Sequence, residues 1–215
     1  KDGDLSVYKT KGKVADLEEF CADKDITGHI GIAHTRWATH GEPSSVNAHP
    51  HYSQSKNLAI IHNGIIENYA EIKHNLMEKG IEFQSETDTE VLVQLIDYIQ
   101  TKKNLSLLMA VQVALHQVIG AYAIALLDKR HPDTIIAARK QSPLVVGIGD
   151  GEFFLGSDAS PIIEYTDKVV YLDDGNIAVM KLGEELKVVN ILNEKLSPEV
   201  QTVDINLGQI EKGGY

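Results

Sequence analysis

The sequence predicts an α+β fold in which sheets pack together and helices lie on the outside. Two observations support this expectation. After a few short elements, two or three helical patterns precede a long series of strand patterns, instead of alternating with them one by one. The chain has 215 residues, of which 43% are hydrophobic, and this is ample for a packed core.

The N-terminal part of the chain is predicted to contain short elements and a long loop. Residues 5–9 have a strand pattern, residues 14–21 an amphipathic helical pattern, and residues 30–34 form a strand that delivers Arg36 to its end. From residue 38 to residue 51 the high content of polar residues, glycine and proline indicates an ordered loop.

A strand and two helices follow the loop. Residues 58–62 are an apolar strand, and residues 67–79 form a helix that ends at Gly80. Thr87, with Glu90 three residues later, has the pattern of a capping box. We therefore expect the next helix to begin at Thr87.

The stretch 105–127 carries no Asp, Glu, Lys or Arg and has about the length needed to cross a bilayer. Its helical spacing stops at Gly120, so we expect a helix at 105–119 and a buried strand at 121–127 instead of a membrane span. Turn residues then separate further strands, expected at 134–138, 144–148, 153–156, 169–172, 177–181 and 186–191.

Charge and cysteine content exclude some function classes. The net charge is −11, and no run of Lys or Arg is long enough to follow a phosphate backbone, which argues against nucleic acid and anionic membranes as partners. Cys21 is the single cysteine, so an internal disulfide is impossible and a reducing, cytoplasmic compartment is expected.

Four motifs follow one another in the first half of the chain. They are HTRWATHG at 34–41, NAHPH at 47–51, IIHNGIIENY at 60–69 and SETDTE at 85–90. Together they resemble the glutamine-binding domain of the class II, N-terminal-nucleophile amidotransferases. Within that family they are most similar to the glutaminase domains of aminotransferases that make glucosamine-6-phosphate from fructose-6-phosphate.

The resemblance covers the chain from about residue 12 and implies both a fold and a reaction. The implied fold is a four-layer αββα sandwich of two mostly antiparallel sheets. The implied reaction is hydrolysis of the L-glutamine amide, without a cofactor, to supply ammonia to fructose-6-phosphate in a sugar isomerase domain. Residues 1–207 would form the glutaminase domain and residues 208–215 the start of a linker, and full-length members are usually homodimers.

Arg36 is the first candidate site residue. A planar guanidinium can bind the α-carboxylate of glutamine through two parallel hydrogen bonds. An arginine next to a tryptophan is otherwise often a structural cation–π pair, here with Trp37. The resemblance assigns Arg36, with Trp37, Thr39 and His40, to glutamine binding.

Asn63-Gly64 is the second candidate. An Asn-Gly pair between two apolar runs is a strong signal for a hairpin turn. A backbone N–H at such a turn and the Asn63 amide can also donate together to an oxyanion, each contributing about 3 kcal/mol. The resemblance implies this catalytic role.

Asp88 is the third candidate, in the first turn of the helix that begins at Thr87. An acidic residue there is favoured by the helix dipole. The resemblance implies that Asp88 binds the α-ammonium group of glutamine. Recognition of both charged ends would select the free amino acid over a peptide-bound glutamine.

The histidines at 34, 40, 49 and 51 are close enough in sequence to be candidate metal ligands. Their spacing fits neither HExxH nor a CxxC-type site, and no acid is placed as a third ligand, so no metal is expected. His49 and His51 are expected to hold the loop through hydrogen bonds. Stoichiometric zinc in purified protein would favour a metal-dependent hydrolase instead.

The resembled family attacks glutamine with a cysteine at its first residue, and the present chain begins at Lys1, which has no thiol or hydroxyl. By itself the chain is therefore expected to be inactive. Two alternatives stay open: a non-catalytic glutamine-binding module, and the glutaminase domain of another class II amidotransferase.

Overall fold

Two antiparallel sheets form the centre of the molecule in the computed structural model, which describes residues 3–36 and 41–203. The helices are α1 (Val14–Cys21), α2 (Tyr69–Met77), α3 (Asp88–Lys103) and α4 (Leu107–Leu115). The strands are β1 (His51–Tyr52), β2 (Leu58–Ile66), β3 (Gly120–Asp128), β4 (His131–Lys140), β5 (Val145–Ile148), β6 (Phe153–Gly156), β7 (Lys168–Tyr171), β8 (Asn176–Lys181), β9 (Lys187–Asn190), β10 (Lys195–Leu196) and β11 (Gln201–Thr202).

The larger sheet has seven strands in the order β1-β2-β3-β4-β8-β9-β10, and the smaller has four in the order β11-β7-β5-β6. All the strand pairs within the two sheets are antiparallel. Alternate residues of β3 show how the larger sheet divides the core. Ile124 and Leu126 pack with the helices, whereas Ala123 faces the smaller sheet.

The helices α2, α3 and α4 cover the outer face of the larger sheet, and α3 is the most deeply buried of the three. The outer face of the smaller sheet is covered by Ala159 and Ile162, which lie in the connection between β6 and β7 and pack with Val145 and Val169. The expected α+β fold of two antiparallel sheets with helices outside is confirmed. Among the described residues, the fourth layer consists of turns instead of a helix.

The expected strands at 5–9 and 30–34 are wrong, because neither segment is extended in a ladder. A strand needs a neighbouring edge that can accept its backbone hydrogen bonds. On the side of β2 away from β3, the described partner is β1, which pairs only with Ala59 and Ile60, and neither segment pairs with the rest of that edge. The two segments instead lie near Ala59 and Leu127, where together they line a cavity of about 170 Å³.

The other expected elements are present, and their ends differ from the expected ones by up to four residues, as in β2, which continues past residue 62 to Ile66. The uncharged stretch 105–127 divides into α4 and β3, and no helix within the described part of the chain is long and apolar enough to cross a membrane. The two-residue strands β1, β10 and β11 are too short to give a periodic pattern. The expected linker at 208–215 lies outside the described residues, so the division at residue 207 stays a prediction.

Candidate functional site

A cleft of about 330 Å³ lies where the end of β2 meets the first turn of α3. Its lining consists of His34, Thr35, Arg36, His49, His62, Asn63, Gly64, Ile65, Thr87, Asp88 and Thr89. Four predicted site residues therefore share one cleft, although they come from three separate segments of the chain. The other three, Trp37, Thr39 and His40, lie outside the described residues.

Asn63 and Gly64 do not form the expected hairpin turn. Both lie inside β2, opposite Ala123 and Tyr122 of β3, and the strand continues to Ile66. An Asn-Gly pair makes a hairpin only when the runs on either side pair with each other, and here both runs pair with β3. Gly64 still has a φ of +126°, a conformation that favours glycine.

Asp88 is placed by the N-terminus of α3 and by the backbone of β2. Thr87 caps the helix by accepting a hydrogen bond from the Glu90 N–H at 3.2 Å. Asp88 is 4% exposed, and its Oδ2 accepts a hydrogen bond from the Ile66 N–H at 2.8 Å. Within residues 3–36 and 41–203 its Oδ1 has no protein partner, so this oxygen is available to a cation in the cleft.

The loop that follows the Arg36 segment is fixed to the start of α3 by a buried asparagine. Arg36 Nη2 donates to the carbonyl of Gly41 at 3.1 Å. The amide of Asn47 donates to the carbonyl of Glu42 at 3.0 Å and accepts from the N–H of Glu86 at 3.1 Å. Hydrogen bonds of this loop therefore connect the Arg36 guanidinium to Glu86, two residues before Asp88.

Four histidines cluster at the cleft: His34, His49 and His62 line it, and His51 packs behind His49. His34 Nε2 lies 2.8 Å from Asn63 Oδ1, and the ring of His34 stacks on His49 at 4.3 Å between centroids. His49 packs edge-on against His51, and His62 Nδ1 lies 3.0 Å from Thr89 Oγ1. His49 Nδ1 accepts a hydrogen bond from the His62 N–H at 3.3 Å, and His51 Nε2 lies 3.2 Å from Thr87 Oγ1, so hydrogen bonds hold both rings as expected.

Burial lowers the pKa of three of these four histidines, His34, His49 and His51. It lowers the pKa of His49 to about 2, helped by His34 and the other rings, and that of His51 to about 3, helped by Lys9. It also lowers the pKa of His34, against the effect of its bond to Asn63. Among the described residues, no three His, Cys, Asp or Glu are placed to hold a metal ion.

These lowered pKa values predict that acid destabilises the domain. Below about pH 6.5 the unfolded chain protonates His49 and His51, whereas the folded chain does not until about pH 3. The stability present above pH 6.5 is therefore lost progressively on acidification. We expect a fall in the free energy of unfolding of about 2–4 kcal/mol between pH 7 and pH 5, measured by urea titration.

Two variants identify the source of that pH dependence. His49→Asn keeps an acceptor near the position of Nδ1 but cannot titrate, so the loss between pH 7 and pH 5 should be about half as large. His74→Gln removes a histidine from the exposed side of α2 and should leave the loss unchanged. An unaltered loss in His49→Asn would show that buried histidines are not its cause.

In the sequence, His34 stands out only as a candidate metal ligand with unsuitable spacing, and His62 has no predicted role. Both line the cleft, and His34 bonds directly to a predicted catalytic residue. Their place in the sequence is the signal that could have identified them, because each histidine lies in the same motif as a predicted site residue. Which atoms they contact depends on packing between segments 29 residues apart.

The arrangement is complementary to a zwitterion with an amide side chain. The cleft presents a guanidinium from Arg36 and a carboxylate oxygen from Asp88, and Asn63 adds an amide beside them. A guanidinium binds a carboxylate and a carboxylate binds an ammonium group, while an amide N–H can donate to a carbonyl oxygen. A free amino acid with a carbonyl-containing side chain fits this set.

Comparison with known proteins agrees with this chemistry. Residues 15–192 match the model of the glutamine amidotransferase domain family. The chain is 68% identical over 211 residues to the glutamine–fructose-6-phosphate aminotransferase [isomerizing] of Bacteroides thetaiotaomicron, over 98% of this chain and 34% of that protein. It is 50% identical to the protein of the same name from Chlorobaculum tepidum, over 100% of this chain and 35% of that protein.

A solved structure of another amidotransferase has a similar fold. The chain is similar to the glutamine phosphoribosylpyrophosphate amidotransferase of B. subtilis, with a TM-score of 0.61 and 25% identity over 74% of this chain and 34% of that one. The chain spans about a third of the length of the curated relatives it matches, at 34% and 35% of the two named above.

Proposed function

The chain belongs to the glutamine amidotransferase domain family, and from this premise we propose that its cleft binds L-glutamine and supports hydrolysis of the side-chain amide. The observation that carries the proposal is the meeting of Arg36, Asn63 and Asp88 in one cleft. These residues come from three different segments of the chain. Their chemistry matches the three functional groups of glutamine.

Each end of the substrate has its own partner in this proposal. The Arg36 guanidinium binds the α-carboxylate, and the free oxygen of Asp88 binds the α-ammonium group. The carboxamide then lies toward Asn63 and Gly64. Their N–H groups donate to the oxygen that becomes negatively charged when the amide carbon is attacked, and so lower the barrier to hydrolysis.

We further propose that the chain is the glutaminase part of an isomerizing glutamine–fructose-6-phosphate aminotransferase. The support is 68% identity over nearly the whole chain to a protein of that name. Ammonia released here would pass to fructose-6-phosphate in another domain. A homodimeric full-length protein and a cytoplasmic location complete the proposal, and the single Cys21 is consistent with a reducing compartment.

Calorimetric titration of the chain with L-glutamine tests the binding step. Asp88→Asn should weaken binding at least about 10-fold, because the charge opposite the ammonium group is lost. The asparagine can still accept the hydrogen bond from Ile66 through its own oxygen, which preserves the contact between β2 and α3. N-acetyl-glutamine, which lacks the ammonium group, should bind poorly to the unaltered chain.

Asp97→Asn is the matched control, since Asp97 is a buried acid on the same helix but does not line the cleft. Its affinity for glutamine should equal that of the unaltered chain. Equal affinities for Asp88→Asn and the unaltered chain would contradict the proposed site. Binding without ammonia release by the full-length protein would instead favour a non-catalytic glutamine-binding module.

A further inference from the structure

His34 contacts the side chain of Asn63 in a defined protonation state. Its Nε2 lies 2.8 Å from the Asn63 Oδ1. An amide oxygen can only accept a hydrogen bond, so the ring nitrogen donates, and His34 is the Nε2–H tautomer. Its Nδ1 is buried and meets no hydrogen-bond partner among the described residues, which suits the unprotonated nitrogen of that tautomer.

The ring of His34 is positioned by the strand that carries Asn63. It stacks on the His49 ring at an interplanar angle of 20°. His49 Nδ1 accepts a hydrogen bond at 3.3 Å from the backbone N–H of His62, the residue just before Asn63. The backbone of β2 therefore fixes both the Asn63 side chain and, through His49, the ring of His34 that donates to it.

The direction in which the Asn63 amide points decides its effect on an oxyanion. A side-chain amide can rotate by about 180°, which exchanges its NH₂ group and its oxygen. An NH₂ group in the cleft stabilises a developing negative charge, whereas an oxygen there repels it. The bond from His34 occupies the oxygen and leaves the NH₂ group available to a ligand.

We propose that His34 is a positioning residue for glutamine hydrolysis, which fixes the Asn63 amide with its NH₂ group available to the oxyanion. This inference rests on the proposed function of the cleft. Because Arg36 and Asp88 bind the two charged ends of glutamine independently of His34, the loss of His34 should lower kcat and leave KM nearly unchanged.

The test compares substitutions of His34 in the full-length protein, with ammonia release from glutamine as the readout. His34→Phe keeps a stacking ring but has no donor, and we expect kcat to fall about 10-fold to 100-fold. His34→Gln can place an N–H near the position of Nε2 and should recover most of that loss. If His34→Phe does not fold, His34→Asn replaces it, because its amide lies near Nδ1 and does not reach Asn63.

A double substitution distinguishes positioning from a general structural effect. If His34 acts through Asn63, adding His34→Phe to Asn63→Ala should lower kcat no further, because the amide is already absent. His29→Phe is the control on the same segment, since His29 is exposed, and its kcat should equal that of the unaltered protein.

Two results would overturn the inference. One is a kcat in His34→Phe equal to that of the unaltered protein, and the other is an equally large further loss in the double variant. Failure of the proposed function would look different. The unaltered full-length protein would then release no ammonia from glutamine, and the role of His34 would fall with it.

Discussion

Asn63→Ala is expected to lower kcat for glutamine hydrolysis by about 10²-fold to 10³-fold in the full-length protein. In the proposed site, the substitution removes a donor whose hydrogen bond to the amide oxygen strengthens as that oxygen becomes negatively charged. Because this interaction strengthens in the transition state, KM should change by less than about threefold. Initial rates of glutamate formation over a range of glutamine concentrations give both constants.

Asn75→Ala provides the control for this result. Asn75 is an exposed asparagine on α2, and it does not line the cleft. Its kcat and KM should match those of the unaltered protein. If Asn63→Ala kept more than about a third of the original kcat, the amide of Asn63 would not be part of an oxyanion hole.

Gly64→Ala is expected to lower the free energy of unfolding by about 3–6 kcal/mol. A Cβ at this position would lie 2.2 Å from the carbonyl oxygen of Ala121, on the paired strand β3. The φ of +126° adds a conformational cost for any residue with a side chain. Urea denaturation of the chain measures the loss, and a Gly64→Ala variant that does not fold would be the extreme result.

Gly175→Ala separates the two causes. Gly175 also has a positive φ, +82°, but a Cβ there would meet no atom within 4 Å. It should lose only about 1 kcal/mol, the cost of the backbone conformation. If both variants lost the same amount, the close approach of β2 and β3 would not be what requires glycine at position 64.

Local signals in the sequence predicted much of the fold. The capping pattern at Thr87 located the start of α3, because the hydrogen bond from the Glu90 N–H to the Thr87 side chain forms within one turn. The loss of helical spacing at Gly120 separated α4 from β3 for a similar reason. The spacing of apolar residues shows which face of a helix or strand is buried, whichever part of the protein packs against that face.

Signals that depend on a partner were less informative. Residues 5–9 and 30–34 have strand-like sequences, but neither finds an edge with which to form a ladder. Asn63-Gly64 has the composition of a turn but lies within a nine-residue strand. In each case the pairing of distant segments decided the structure, and the local pattern did not.

The sequence by itself determined the chemistry of the side chains that we propose for glutamine binding, because the charges of Arg36 and Asp88 and the amide of Asn63 are properties of the residues. The tertiary structure decided how they are used. It brought three segments to one cleft, set Gly64 against β3, and placed the donor of His34 on an acceptor 29 residues away. Such contacts form only when the sheet and α3 pack together, so no local pattern encodes them.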